Sequence, residues 1–135
     1  MSKNQVKQTV TYWAKIAEHD YETMKVLFRA KRYSDSLFFG HIVLEKILKG
    51  LYVKHNQKDA PYIHNLVTLA KQTALNLSQD DLEFLEEVNR FNIRARYPDV
   101  KLEFYKKSTP ELTTIYLKRI KTVYKNLCQK LNKKN

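Results

Sequence analysis

Residues 34–55, SDSLFFGHIVLEKILKGLYVKH, constrain the rest of this chain more than any other stretch. The segment has no proline and is dense in large apolar side chains. Leu37, His41, Leu44, Leu48 and Leu51 recur at spacings of three and four, which is one face of an α-helix. Phe38, Ile42 and Tyr52 widen that face beyond half the circumference. A helix apolar nearly all round needs neighbours on several sides, so this one is expected at the centre of a bundle. It nevertheless carries His41 and Glu45, four apart and therefore on one face, with Lys46 and Lys49 on another side.

The flanking sequence supplies the neighbours. Val6, Val10, Trp13, Ala17, Met24 and Leu27 share a helical face across residues 5–30. Asp20 falls on that stripe, and a carboxylate there needs a partner because an unpaired buried charge is very costly. Residues 31–33 read as the first turn, with Ser34 or Asp35 capping the central helix. Pro61 marks a polar loop, and a short third helix is expected over residues 63–74, with Leu66, Leu69 and Ala70 inward. Ser78, followed by Asp80 and Asp81, starts a fourth helix with Leu82, Leu85 and Val88 or Asn89 inward. Because Pro98 disfavours helical geometry at Tyr97, this helix is expected to stop near Ala95. Residues 99–109 read as a loop with room for a short ordered turn. Thr109 and Pro110 open a last helix to residue 131 that buries Leu112, Ile115 or Tyr116, Ile120, Val123 and Leu127. No segment has the pattern of a strand. The expected fold is all-α: an up-and-down bundle of four long helices plus a short one, in a single domain spanning residues 1–135.

Composition narrows the function. At 135 residues the chain is long enough for one core. It contains no apolar run near the roughly 20 residues that span a bilayer, and MSKNQVKQTV lacks the apolar centre of a signal peptide. A single cysteine, Cys128, excludes an internal disulfide and is compatible with a reducing compartment, so a cytoplasmic location is expected and a membrane partner is not. The net charge of +11 is concentrated late, where residues 101–135 hold 10 basic and 2 acidic side chains. That stretch is either a solvated helix face with a basic tail from about residue 131, or a surface that attracts phosphate backbones. No His/Cys/Asp group has metal-ligand spacing, so neither a metal nor a cofactor is expected.

The stretch NRFNIRARYPD, residues 89–99, carries the chemistry. Here the inner stripe of the fourth helix continues through Asn89, Asn92 or Ile93, and Arg96 and so turns polar, and Arg90, Arg94 and Arg96 fall within seven residues. Such a cluster binds an anion or pairs with carboxylates, for which Asp20 and Glu45 are the internal candidates. His41 with Glu45 is either a base with its orienting group or a hydrogen-bonded core histidine. His64 reads as packing against or capping the third helix.

Three features together resemble the HEPN family (higher eukaryote and prokaryote nucleotide-binding domain). They are the opening Trp13…Ala17…Asp20…Leu27 helix, the segment RYSDSLFFGHIVLEKILKGLYVKH, and Pro61…His64-Asn65-Leu66 followed by Asn92…Arg96-Tyr97-Pro98-Asp99. The resemblance implies a helical bundle, a homodimer, and company with a minimal nucleotidyltransferase, in some pairs as toxin and antitoxin. In such pairs the HEPN member is a metal-independent ribonuclease and the transferase silences it by modifying a tyrosine, which makes Tyr97 the candidate modified here. The ribonuclease motif is arginine, four to six residues, then histidine, and no arginine of this chain meets it. The first expectation is therefore a non-catalytic protein whose groove, lined by Asp20, His41, Glu45, Asn92 and Arg96, binds a nucleotide or the partner. The alternatives are a ribonuclease using His41 with Arg94 or Arg96, and a basic RNA-binding or scaffolding bundle driven by residues 101–135.

Overall fold

A computed structural model describes residues 1–94 and 96–134. It contains α1 (Lys3–Arg29), α2 (Tyr33–Asn56), α3 (Leu66–Lys71), α4 (Gln79–Asn89), α5 (Pro98–Lys107) and α6 (Pro110–Asn132), with no strand among the described residues. All five other helices pack on α2. Its burial follows from the sequence: Leu37, Val43, Leu44, Ile47, Leu48 and Val53 are essentially inaccessible and lie all round the helix. The central helix is thus where its composition put it.

Helices α1 and α6 each bury one stripe. On α1 this is Val6, Ala17, Tyr21 and Met24, and Ser36 Oγ donates 2.8 Å to the Met24 carbonyl to tie α1 to α2. On α6 the buried set is Thr113, Leu117, Ile120, Tyr124, Leu127 and Leu131. The expected inner residues Leu112 and Ile115 are instead exposed, and Tyr116 packs on Phe84 and Phe91. Gly40 permits the α2–α6 approach, because a Cβ there would lie 2.7 Å from Ile120 Cδ1. Tyr21 and Tyr124 stack at 4.5 Å and join α1 to α6 across the core. Leu48→Ala, at a site with no exposure, should cost about 2–5 kcal/mol, read as a lower denaturant midpoint at an unchanged slope.

Three boundaries differ from expectation. Helix α3 starts only at Leu66, because Asn65 caps it by accepting from Thr68 N–H. Helix α4 stops at Asn89 rather than at Ala95, which lies outside the described residues. Asn89 ends it by turning its side chain elsewhere: Oδ1 accepts from Leu66 N–H at 2.8 Å, and Nδ2 donates to Asn65 Oδ1 at 3.1 Å. The segment read as a loop is helix α5, with Pro98 in its first turn, Asp99 near its N-terminus, and Lys106 and Lys107 at its C-terminus. These charges complement the helix dipole. The helix buries no residue of its own, so it carries no stripe to read; Phe104 holds it against Phe91, with ring centroids 5.6 Å apart. The expected lysine tail begins two residues late. Leu131 is buried and Asn132 is the last residue of α6, while Lys54 Nζ donates to the carbonyls of Lys130, Leu131 and Lys133.

Candidate functional site

The early end of α4 builds a cleft. Residues 90–94 and 96–97 leave the helix through tight turns, in which Phe91 N–H bonds the Val88 carbonyl and Arg96 N–H bonds the Ile93 carbonyl. Phe91 stays in the core between Phe104 and Tyr116 and so anchors this irregular stretch. The Asn65–Asn89 clasp holds the start of α3 against the end of α4. Between these segments and α2 lies an open cleft of about 510 Å³, lined by His41, His64, Asn65, Glu86, Asn89, Arg90, Asn92 and Arg96.

Under the cleft sits a buried charged network centred on Glu45. Lys49 Nζ donates 3.0 Å to Oε2, Lys46 Nζ lies 3.6 Å from the same oxygen, and His64 Nδ1 lies 3.1 Å from Oε1. Burial pulls the Glu45 pKa upward, but the Lys49 bond and the charges of Lys49 and Lys46 outweigh it and leave the carboxyl below its ordinary value. Glu45 is therefore an ionised acceptor, and Lys49 rather than an arginine balances it. Trp13 roofs this pair, with the ammonium groups of Lys46 and Lys49 each 5.5 Å from its ring centroid.

His41 occupies the wall. It is 1% exposed, and its Nε2 lies 2.9 Å from the His64 carbonyl, which can only accept, so Nε2 carries the hydrogen. Nδ1 is left as a lone pair without a hydrogen bond, 3.9 Å from Glu45 Oε1. Burial lowers its pKa to about 4, against the pull of Glu45. The geometry is that of a neutral brace holding the 61–65 loop, with its donor nitrogen already spent.

The expected groove is assembled in part. His41, Asn92 and Arg96 line the cleft, and Glu45 lies beneath it through His64. Asp20 is not in the lining. It sits on α1, with His19 Nδ1 3.5 Å from its Oδ1. Arg94 turns away to lie over Phe38, 5.4 Å from the ring centroid. Tyr97 is 80% exposed at the N-cap of α5 and makes no capping bond with its side chain. No Arg–carboxylate bridge forms to Asp20 or Glu45; among the described residues Arg90, Arg94 and Arg96 make no ion pair. His64, expected to pack against or cap the third helix, leaves the cap to Asn65 and proves to be the half-exposed partner of Glu45 (54% against 3%).

Two clefts of similar size lie around the C-terminal ends of α2 and α6, lined in part by Lys54, Lys130 and Lys133. Lys54 there is occupied by the α6 carbonyls, which it neutralises at the negative end of the helix dipole. Among the described residues no group of His, Cys, Asp and Glu side chains is placed to hold a metal ion, and no helix is long and apolar enough to cross a membrane.

Comparison with curated proteins and with solved structures gives no match. The family model described as HEPN domain matches residues 10–131, from the middle of α1 to the end of α6, and so takes in α2, the clasp and every residue of the cleft. The chain belongs to the HEPN domain family, and its function is in general nucleotide- or RNA-related.

Proposed function

We propose that the cleft binds the phosphate of a nucleotide or of RNA, and that the chain works as the non-catalytic, homodimeric partner of a minimal nucleotidyltransferase in a toxin–antitoxin-type pair. The observation that carries the binding reading is that Arg90 and Arg96 line one cleft and that, among the described residues, no carboxylate is bonded to either. Guanidinium groups left unpaired beside the amides of Asn65, Asn89 and Asn92 suit a phosphate, which takes both charge and directed hydrogen bonds. Glu86 is the one carboxylate among the residues lining the cleft. A binding role fits better than a nuclease role because the Arg-x4-6-His spacing is absent and His41 is buried with its donor engaged. The partner and the pairing rest on the family resemblance.

Calorimetric titration with ATP tests the cleft. Arg96→Glu should weaken binding by about tenfold or more, the worth of one charge-assisted hydrogen bond, with the helical circular dichroism unchanged. Unchanged affinity in a folded variant would remove the cleft from the account. If affinity instead falls when Lys125 and Lys130 are neutralised, the binding surface is the basic face of α6. For the partner, native mass spectrometry of protein isolated from its own cells should show a heteromeric mass that includes a small transferase. A homodimer alone, from cells that express such a transferase, would discard the pairing.

A further inference from the structure

The Glu45–His64 pair has a property that phosphate binding does not require. Nδ1 of His64 lies 3.1 Å from a carboxylate that can only accept, so in the neutral ring Nδ1 carries the hydrogen and the lone pair falls on Nε2. The backbone is held as well, because the His64 carbonyl accepts from His41 Nε2. Ring and backbone are thus fixed from below, while the exposed part of the ring belongs to the cleft shared with Arg90, Asn92 and Arg96. A fixed imidazole whose neutral tautomer puts the lone pair on its distal nitrogen, with a carboxylate behind it and two arginines in the same cleft, is suited to act as a nucleophile at an anion site.

We propose that Nε2 of His64 is a covalent phosphoryl acceptor. The donor class is a nucleoside triphosphate. The Nε2 lone pair forms the N–P bond to the γ-phosphorus as the bond from that phosphorus to the bridging oxygen breaks, and the nucleoside diphosphate leaves with the bonding pair. The phosphorylated ring is then a cation whose proton stays on Nδ1, facing Glu45, which stabilises it. Arg90 and Arg96 offset the charge of the transferred group. The inference rests on the phosphate-binding reading of the cleft, because it needs both arginines there.

The chain contains its own controls. His19 is more exposed than His64 (82% against 54%) and also has a carboxylate at Nδ1, Asp20 at 3.5 Å, but it lies outside the arginine cleft and so controls for it. His55 is exposed and, among the described residues, pairs with no carboxylate. The probe is phosphoramidate, which transfers its phosphoryl group to imidazole with loss of ammonia. The full chain is treated at neutral pH, and each histidine is mapped by mass spectrometry under conditions that preserve phosphohistidine. His64 should be phosphorylated about tenfold faster than His19 and His55, and Glu45→Gln should reduce that ratio by a similar factor. The ratio is read within one molecule, so a general loss of structure does not imitate it. Should Glu45→Gln fail to fold, Arg96→Gln, at an exposed position, makes the same comparison. Equal rates at His64 and His55 would overturn the proposal. ATP titration of the same samples separates the two ideas: binding that depends on Arg96 without selective phosphorylation refutes the acceptor alone, and loss of both refutes both.

Discussion

Lys49→Met is expected to destabilise the fold by about 3–5 kcal/mol, the cost of stranding one member of a buried ion pair. The side chains of Lys49 and Glu45 are 6% and 3% exposed, so water cannot replace the lost ammonium. Lys46 is the nearest substitute, but it lies at 3.6 Å with its side chain 23% exposed and compensates only in part. For a domain of this size the loss corresponds to a fall in Tm of roughly 10 °C or more. Desolvation, not the strength of the pair, is the cause, and the double variant Glu45→Leu with Lys49→Met tests this. Replacing both charges by apolar groups should recover most of the loss, because the pair itself contributes little beyond offsetting its own burial. Thermal and guanidinium unfolding of the three proteins measure the effect. A cost below about 1 kcal/mol for Lys49→Met would mean that the ammonium reaches water and the network is not closed.

The second large effect is with pH. His41 ordinarily titrates near 6.5, and burial lowers this to about 4 in the folded chain. Between these values the unfolded chain binds a proton that the folded chain refuses. Stability is therefore complete above pH 6.5 and falls as pH drops towards 4, by about 3 kcal/mol from this group. Glu45 acts in the same direction at lower pH: its folded pKa lies below the ordinary 4.5, so its contribution holds above 4.5 and is lost as the carboxyl takes a proton. His41→Gln places an amide donor where Nε2 reaches the His64 carbonyl and removes the titration. Its denaturant midpoint should decline less steeply than that of the native chain between pH 6.5 and 4. Parallel curves would show that His41 is already charged in the folded state.

The way α2 was legible explains what else was. An apolar circumference fixes a central helix regardless of what surrounds it, because no arrangement that leaves such a helix half-exposed is stable. Helices α1 and α6 follow, since each carries one stripe and a strong N-cap, Ser2 and Thr109. Helix α5 did not follow, because ten residues with no buried face are held by a ring on a neighbouring turn, Phe104 on Phe91. The end of α4 was misplaced for a related reason. Asn89, the last residue of the helix, spends its side chain on Leu66 and Asn65, residues more than twenty positions earlier, and no local pattern records that contact.

The site divides along the same line. The sequence by itself placed the polar break at residues 89–96, the His41–Glu45 face and the family, because spacing on a helix is a local property. It could not assign partners to those groups. Asp20 shares the stripe periodicity yet lies off the cleft, and Arg94 shares the arginine cluster yet lies on Phe38. Only the tertiary structure decided that Glu45 pairs with Lys49 and His64, that His41 is spent on a carbonyl, and that Arg90 and Arg96 are left free. The reason is that an ionisable group takes its role from whatever desolvates it and whatever lies within about 4 Å, and both are set by contacts between segments far apart in the chain.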